Sequence, residues 1–187
     1  MGMFSRKDMI RLFGPLLVEQ LLAVLVGMAD VVMVAAVGET AVSGVALVDS
    51  ISVLVIQVLS AMATGGAVVC SQYIGKKKPD QACRAAGQLV LITAALSLLI
   101  AAVAFIGNRH LLRLIFGSVE TAVMDNAQTY FWFTAMSYPF LALYNSGAAL
   151  FRSMGNSKVS MKVSLAMNAI NVAGNALCVF GLHMGVE

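Results

Sequence analysis

Four stretches of this chain contain no Asp, Glu, Lys or Arg: Ser50 to Gly75, Ala85 to Asn108, Asn126 to Phe151 and Val163 to Leu182. A helix needs about 20 predominantly apolar residues to cross the hydrocarbon core of a bilayer, and each stretch is long enough to do so. A fifth apolar stretch, Phe13 to Val37, is interrupted only by Glu19 and Asp30. Composition removes the alternatives. Hydrophobic residues make up 60% of the 187 and charged residues only 11%, with a mean hydropathy of +0.89. A soluble chain carries about a quarter charged residues to wet its surface, and a disordered one is more polar still. The expected fold is an all-α, polytopic membrane helix bundle. Residues 1–187 form one membrane domain, with spans at about 13–37, 50–75, 85–108, 126–151 and 163–182.

The connections place the charges. Gly38-Glu39-Thr40, Lys76-Lys77-Lys78-Pro79-Asp80 and Arg152 to Lys158 read as short loops. In the longer third connection, Leu111-Leu112 and Leu114-Ile115-Phe116 read as a turn along the interface, and Ser118 as a cap for the next helix. With the N-terminus inside, ten of the twelve Lys and Arg are cytoplasmic, and only Arg109 and Arg113 fall outside. Lys and Arg accumulate in cytoplasmic loops, so this orientation is the expected one. The basic residues sit in clusters between apolar runs, so the net charge of +3 does not point to nucleic acid. Cys70, Cys83 and Cys178 are scattered and read as small buried apolar residues rather than metal ligands or disulfides. The apolar stretch after Arg11 is too long for a cleavable signal and lacks a small-residue cleavage site. There is no phosphate-binding loop, no HExxH and no His cluster; His110 and His183 are expected in outer loops. ATP-driven transport and metalloprotease chemistry are therefore unsupported, and no enzyme activity or cofactor is expected.

Polar residues inside the spans carry the functional information. A carboxylate at mid-membrane costs at least ~2.5–3.5 kcal/mol on insertion scales, so it normally faces a cavity or a partner. Asp30 lies deep in the first span, between Met28-Ala29 and Val31-Val32-Met33-Val34. Glu19 lies eleven residues earlier, on nearly the same helical face but closer to the cytoplasmic end. In the fifth span Ser164, Asn168, Asn171 and Asn175 fall on a stripe about 60° wide. Three amides on one face exceed what helix packing requires. Their carbonyl oxygens can ligate a hard cation such as sodium, and their N–H groups can hold a carboxylate. Gln57, Ser60 and Thr64, followed by Gly65-Gly66, form a weaker stripe in the second span that reads first as close helix packing. Glu19, Gln57 and Tyr138 are secondary candidates. Pro15 and Pro139 each remove a helical hydrogen bond and read as kinks or hinges.

These residues resemble a known family. Pro15-Leu16-Leu17-Val18-Glu19-Gln20, then Met28 to Val34 and Val37-Gly38, is similar to the first helix of the MATE (multidrug and toxic compound extrusion) transporters. Ala63-Thr64-Gly65-Gly66 through Ser71-Gln72-Tyr73-Ile74-Gly75 resembles the end of their second helix. Leu150 to Lys158 resembles their loop R-x-x-G-[DN]-[ST]-K, and Asn171 to Gly181 their fifth helix with its N-x-x-x-[ND] core. The resemblance implies a twelve-helix transporter of two six-helix lobes. This chain would be the N-lobe without its sixth helix, and the missing C-terminal lobe would be its partner. It also implies efflux of amphipathic or cationic small molecules across the plasma (inner) membrane in exchange for sodium ions or protons. Asp30, Asn171 and Asn175 match the family's N-lobe positions, with sodium as a possible ligand. At Asn175 several members carry Asp, so Asp30 stands as the only deep acid of the pair. The alternatives are a flippase for lipid-linked oligosaccharides within the same superfamily, and a non-transporting scaffold subunit. A flippase cavity calls for cationic residues that these spans lack; a scaffold has no need of Asp30 and the amide stripe.

Overall fold

A computed structural model describes residues 6–35 and 38–177, with side chains from Phe13 onward. The described residues form five helices: α1 (Arg6–Ala35), α2 (Glu39–Gly75), α3 (Pro79–Phe116), α4 (Thr121–Ser153) and α5 (Ser157–Ala176). The fold class is all-α, as the apolar stretches predict. At 1.5 Å rise per residue, the 37 residues of α2 and 38 of α3 extend for about 55 Å, well beyond the ~30 Å hydrocarbon core. The charge-free stretches therefore underestimate the helices.

Three local readings are corrected by this extension. Leu111 to Phe116 is no interfacial turn but the continuous end of α3, and His110 is likewise helical. Ser118 does not cap α4, which begins at Thr121 after Glu120 with no side-chain cap bond. Arg152 belongs to the last turn of α4, leaving Met154-Gly155-Asn156 as the connection to α5. Gly155 there has φ 76°, a left-handed conformation that glycine adopts without steric cost. Pro79 opens α3, where its missing N–H is one of the unpaired helix-start donors in any case. Pro15 and Pro139 lie inside continuous helices.

α2, α3 and α4 pack together as one block, while α1 lies along α5. The α1–α5 pair joins the block chiefly through α4. Small residues make the close approach possible, because a membrane interior offers little hydrophobic drive and rewards tight packing instead. α4 buries Ala127, Phe131, Ala135, Tyr138, Ala142, Ser146 and Ala149 along one seam, against Ala41, Gly44, Val48, Ser52, Leu59, Ala63 and Ala67 of α2. A Cβ at Gly44 would stand 2.9 Å from the Ala127 backbone nitrogen. Hydroxyls lock the seams: Thr93 Oγ1 lies 2.7 Å from Ser146 Oγ, and Ser52 Oγ 3.2 Å from the Tyr138 hydroxyl. α1 from Phe13, α2 and α3 are long and apolar enough to cross a membrane; α4 and α5 are more polar.

Candidate functional site

The α1–α5 seam brings the sequence-predicted polar residues together in two groups. The first lies near the C-terminal ends of both helices. Asn175 donates from Nδ2 to Asp30 Oδ1 at 2.9 Å, and the same nitrogen lies 3.3 Å from Asn171 Oδ1. Asp30 and Asn175 are half-buried, and Asn171 is exposed at the rim. Asn168 does not join this group. It sits two turns below Asn175, with its Nδ2 3.5 Å from Ser164 Oγ.

The second group is centred on Glu19. Tyr144 donates its hydroxyl to Oε1 at 2.8 Å, Ser160 donates to Oε2 at 3.2 Å, and Arg152 Nη1 stands 3.7 Å from Oε1. One carboxylate thus ties α1 to α4 and α5. Arg152–Glu19 is the one ion pair among the described residues. A cavity of about 350 Å³ adjoins it, walled by Leu16, Tyr144, Met167, Ser164 and Asn168. Asn168 therefore belongs with Glu19 rather than with Asp30.

The remaining candidates separate by burial. Tyr138 is buried in the α2–α4 core and hydrogen-bonded to Ser52, so its place is in helix packing and not in an accessible site. Gln57 and Thr64 are exposed on α2, Ser60 is half-buried and Gly65 is open, so among the described residues most of that stripe is not buried in a packing seam; Gly66 meets Leu89 of α3. Cys70 is buried as expected, but Cys83 is exposed, and Cys178 and His183 lie outside the described residues.

A second acid was hidden from the sequence reading. Asp49 precedes the first charge-free stretch by one residue and so looks like a loop residue. Because α2 starts at Glu39, Asp49 stands nearly three turns inside a helix. The Tyr130 hydroxyl of α4 approaches its Oδ1 at 3.4 Å. Asp30 is therefore not the only acid in this part of the bundle. Placing the helix start after Gly38 would have revealed it. Oxygen donors from Asp30 and Asn171 suit a hard monovalent cation, and Asn175 holds the carboxylate in place. Among the described residues no cluster of three or more His, Cys, Asp or Glu side chains forms a site for a tightly held metal.

Helices of this length, packed through small residues, are those of a multi-pass membrane protein. The MatE family model matches residues 15–177, and the chain belongs to this MATE transporter family, whose members are not enzymes. The uncharacterized transporter YisQ of Bacillus subtilis (strain 168) is 29% identical over 175 residues, covering 94% of this chain and 38% of YisQ. A crystal structure of MATE in complex with MaD3S has the same fold, with TM-score 0.90 at 18% identity over 96% of this chain and 40% of that one. An MOP superfamily transporter from Pyrococcus furiosus, described as having a binding pocket of reverse polarity, gives TM-score 0.89 at 18% identity over 96% of this chain and 39% of that one. The chain spans about two-fifths of the length of these relatives.

Proposed function

We propose that this chain is the N-terminal portion of a secondary active exporter of amphipathic or cationic small molecules, coupled to sodium ions or protons. It resides in the plasma (inner) membrane with its N-terminus in the cytoplasm. The observation that carries the reading is the hydrogen bond from Asn175 to Asp30, with Asn171 beside it. A carboxylate with one amide donor is only partly compensated. A proton or a monovalent cation can complete its coordination, and the two states differ in how firmly α1 is held to α5. Sodium, where it is the coupling ion, would take oxygens from Asp30 and Asn171, with Asn175 exchanging its present contact for one to the ion. Pro15, in α1, and Pro139, in α4, supply the backbone compliance for such a shift.

The test is drug efflux by the complete two-lobed transporter in cells lacking other exporters. Asp30→Asn keeps the size and the amide contact but removes the titrating charge. It should insert at normal abundance and lose ion-coupled export. Normal export by this variant would reject Asp30 as the coupling residue. The lipid-linked oligosaccharide flippase is less favoured, because Arg152, the cation that reaches the seam among the described residues, is already paired with Glu19.

A further inference from the structure

A cavity larger than the one beside Glu19, about 600 Å³, opens between α3 and α4. It is unrelated to the α1–α5 seam. Its walls combine three kinds of group. Phe105 and Trp132 pack with ring centroids 4.6 Å apart and planes tilted by 58°, and both are accessible from outside the bundle. Arg109 and His110 stand exposed at its rim. Between them, two buried polar atoms have no hydrogen-bond partner among the described residues: Asn108 Oδ1, an acceptor, and Gln128 Nε2, a donor. Asn108 is held in position, because its Nδ2 donates to the Gln128 carbonyl at 2.9 Å. Buried polar atoms without partners cost on the order of 1–3 kcal/mol each, so a groove whose lining residues leave two of them unpaired is suited to an occupant that satisfies both.

The level of the groove narrows the choice. Asn108 ends one charge-free stretch and Asn126 begins the next, so the groove lies at the border between hydrocarbon and headgroups. Trp side chains accumulate at that border, with the ring in the apolar zone and the N–H in the polar one. Arg109 has no ion pair among the described residues and also lines an adjoining cavity of about 350 Å³, together with Arg113 and Asp125.

We infer that the α3–α4 groove binds an anionic phospholipid bearing a hydroxylated headgroup, of the phosphatidylglycerol type. Arg109 takes the phosphate, with Gln128 Nε2 donating to a phosphate oxygen. Asn108 Oδ1 accepts from a glycerol hydroxyl. The acyl chain lies over Phe105 and Trp132. A headgroup without hydroxyls would leave Asn108 Oδ1 unpaired, and a zwitterionic one would bring its own cation towards Arg109.

Trp132 is the only tryptophan of the chain, so its fluorescence reports on this groove alone. The protein is reconstituted in phosphatidylcholine vesicles containing a low, equal mole fraction of acyl-brominated phosphatidylglycerol or acyl-brominated phosphatidylcholine. Brominated phosphatidylglycerol should be enriched at Trp132 roughly fivefold, the factor given by ~1 kcal/mol for one basic side chain at a membrane surface. Arg109→Gln, an exposed change that leaves the packing intact, should equalise the two lipids. Gln128→Leu should weaken the preference with Arg109 in place. Equal quenching in the unaltered protein, or a preference that survives Arg109→Gln, would overturn the assignment. Loss of the preference on adding soluble glycerol phosphate at millimolar concentration would overturn it too, in favour of a water-soluble phosphate ligand.

Discussion

Glu19 accepts hydrogen bonds from Tyr144 and Ser160 and pairs with Arg152, whereas Asp30 holds the single donor Asn175. On one helix, therefore, one carboxylate is saturated with partners and the other is not. The saturated one fastens the seam, and the coupling proposed above would fall on the unsaturated one. Glu19→Leu should leave Arg152 without its ion pair and remove the acceptor of the Tyr144 hydroxyl, while Ser160 keeps the Ser157 carbonyl. The expected cost is about 1–3 kcal/mol of stability, read as a lower melting temperature in detergent. Glu19→Gln retains an acceptor and should lose less. Asn175→Asp at the other group places two acids together, where like charges make one of them hold a proton. Transport by the complete protein should persist with an altered pH dependence, measured as drug efflux across a pH series. Loss of transport at every pH would mean that the amide itself is required.

At the scale of the helices, what the sequence discloses depends on whether a feature is periodic or positional. The amide stripe of α5 is periodic, and spacing alone put Asn171 and Asn175 on one face, as the structure does. Asp49 was missed for a positional reason. Gaps between charges mark where lipid is tolerated, whereas the backbone stays helical for as long as its own hydrogen bonds are favourable. The same distinction explains why α3 runs on through Arg109 to Phe116. Tyr138 was misread because the sequence cannot show that its neighbour across the seam is Ser52 of α2. Close packing is also testable at this scale. Gly44→Val drives methyl groups into the Ala127 backbone, whereas Gly65→Ala meets nothing within 4 Å. The first should destabilise by about 1–3 kcal/mol and the second should be near neutral, compared by thermal unfolding in detergent.

At the largest scale, the described residues form a three-helix block with the α1–α5 pair attached chiefly through α4. If the block is oriented as the basic residues suggest, reporters fused after Lys78 or Lys158 read cytoplasmic and one after Gly117 reads external. Export of the Lys78 reporter would reverse the orientation. Because the chain spans about two-fifths of its relatives, a cavity shared between lobes would require the other lobe. The polypeptide alone should insert without conferring drug resistance, scored by growth on toxic cations.

The pairing of α1 with α5 also sets a schedule for synthesis. Asp30 and Asn175 are 145 positions apart, and at ~5–20 residues per second the amide emerges roughly 7–30 s after the carboxylate. The first helix must therefore reach the membrane with its acid unpartnered, and wait there while the three-helix block is made. During that interval the nascent chain needs a protonated Asp30, a water-exposed position or a helper protein at the insertion site. Ribosome-bound chains stalled before Ser157 would capture it in that state, open to carboxyl-directed labelling at Asp30 until α5 arrives.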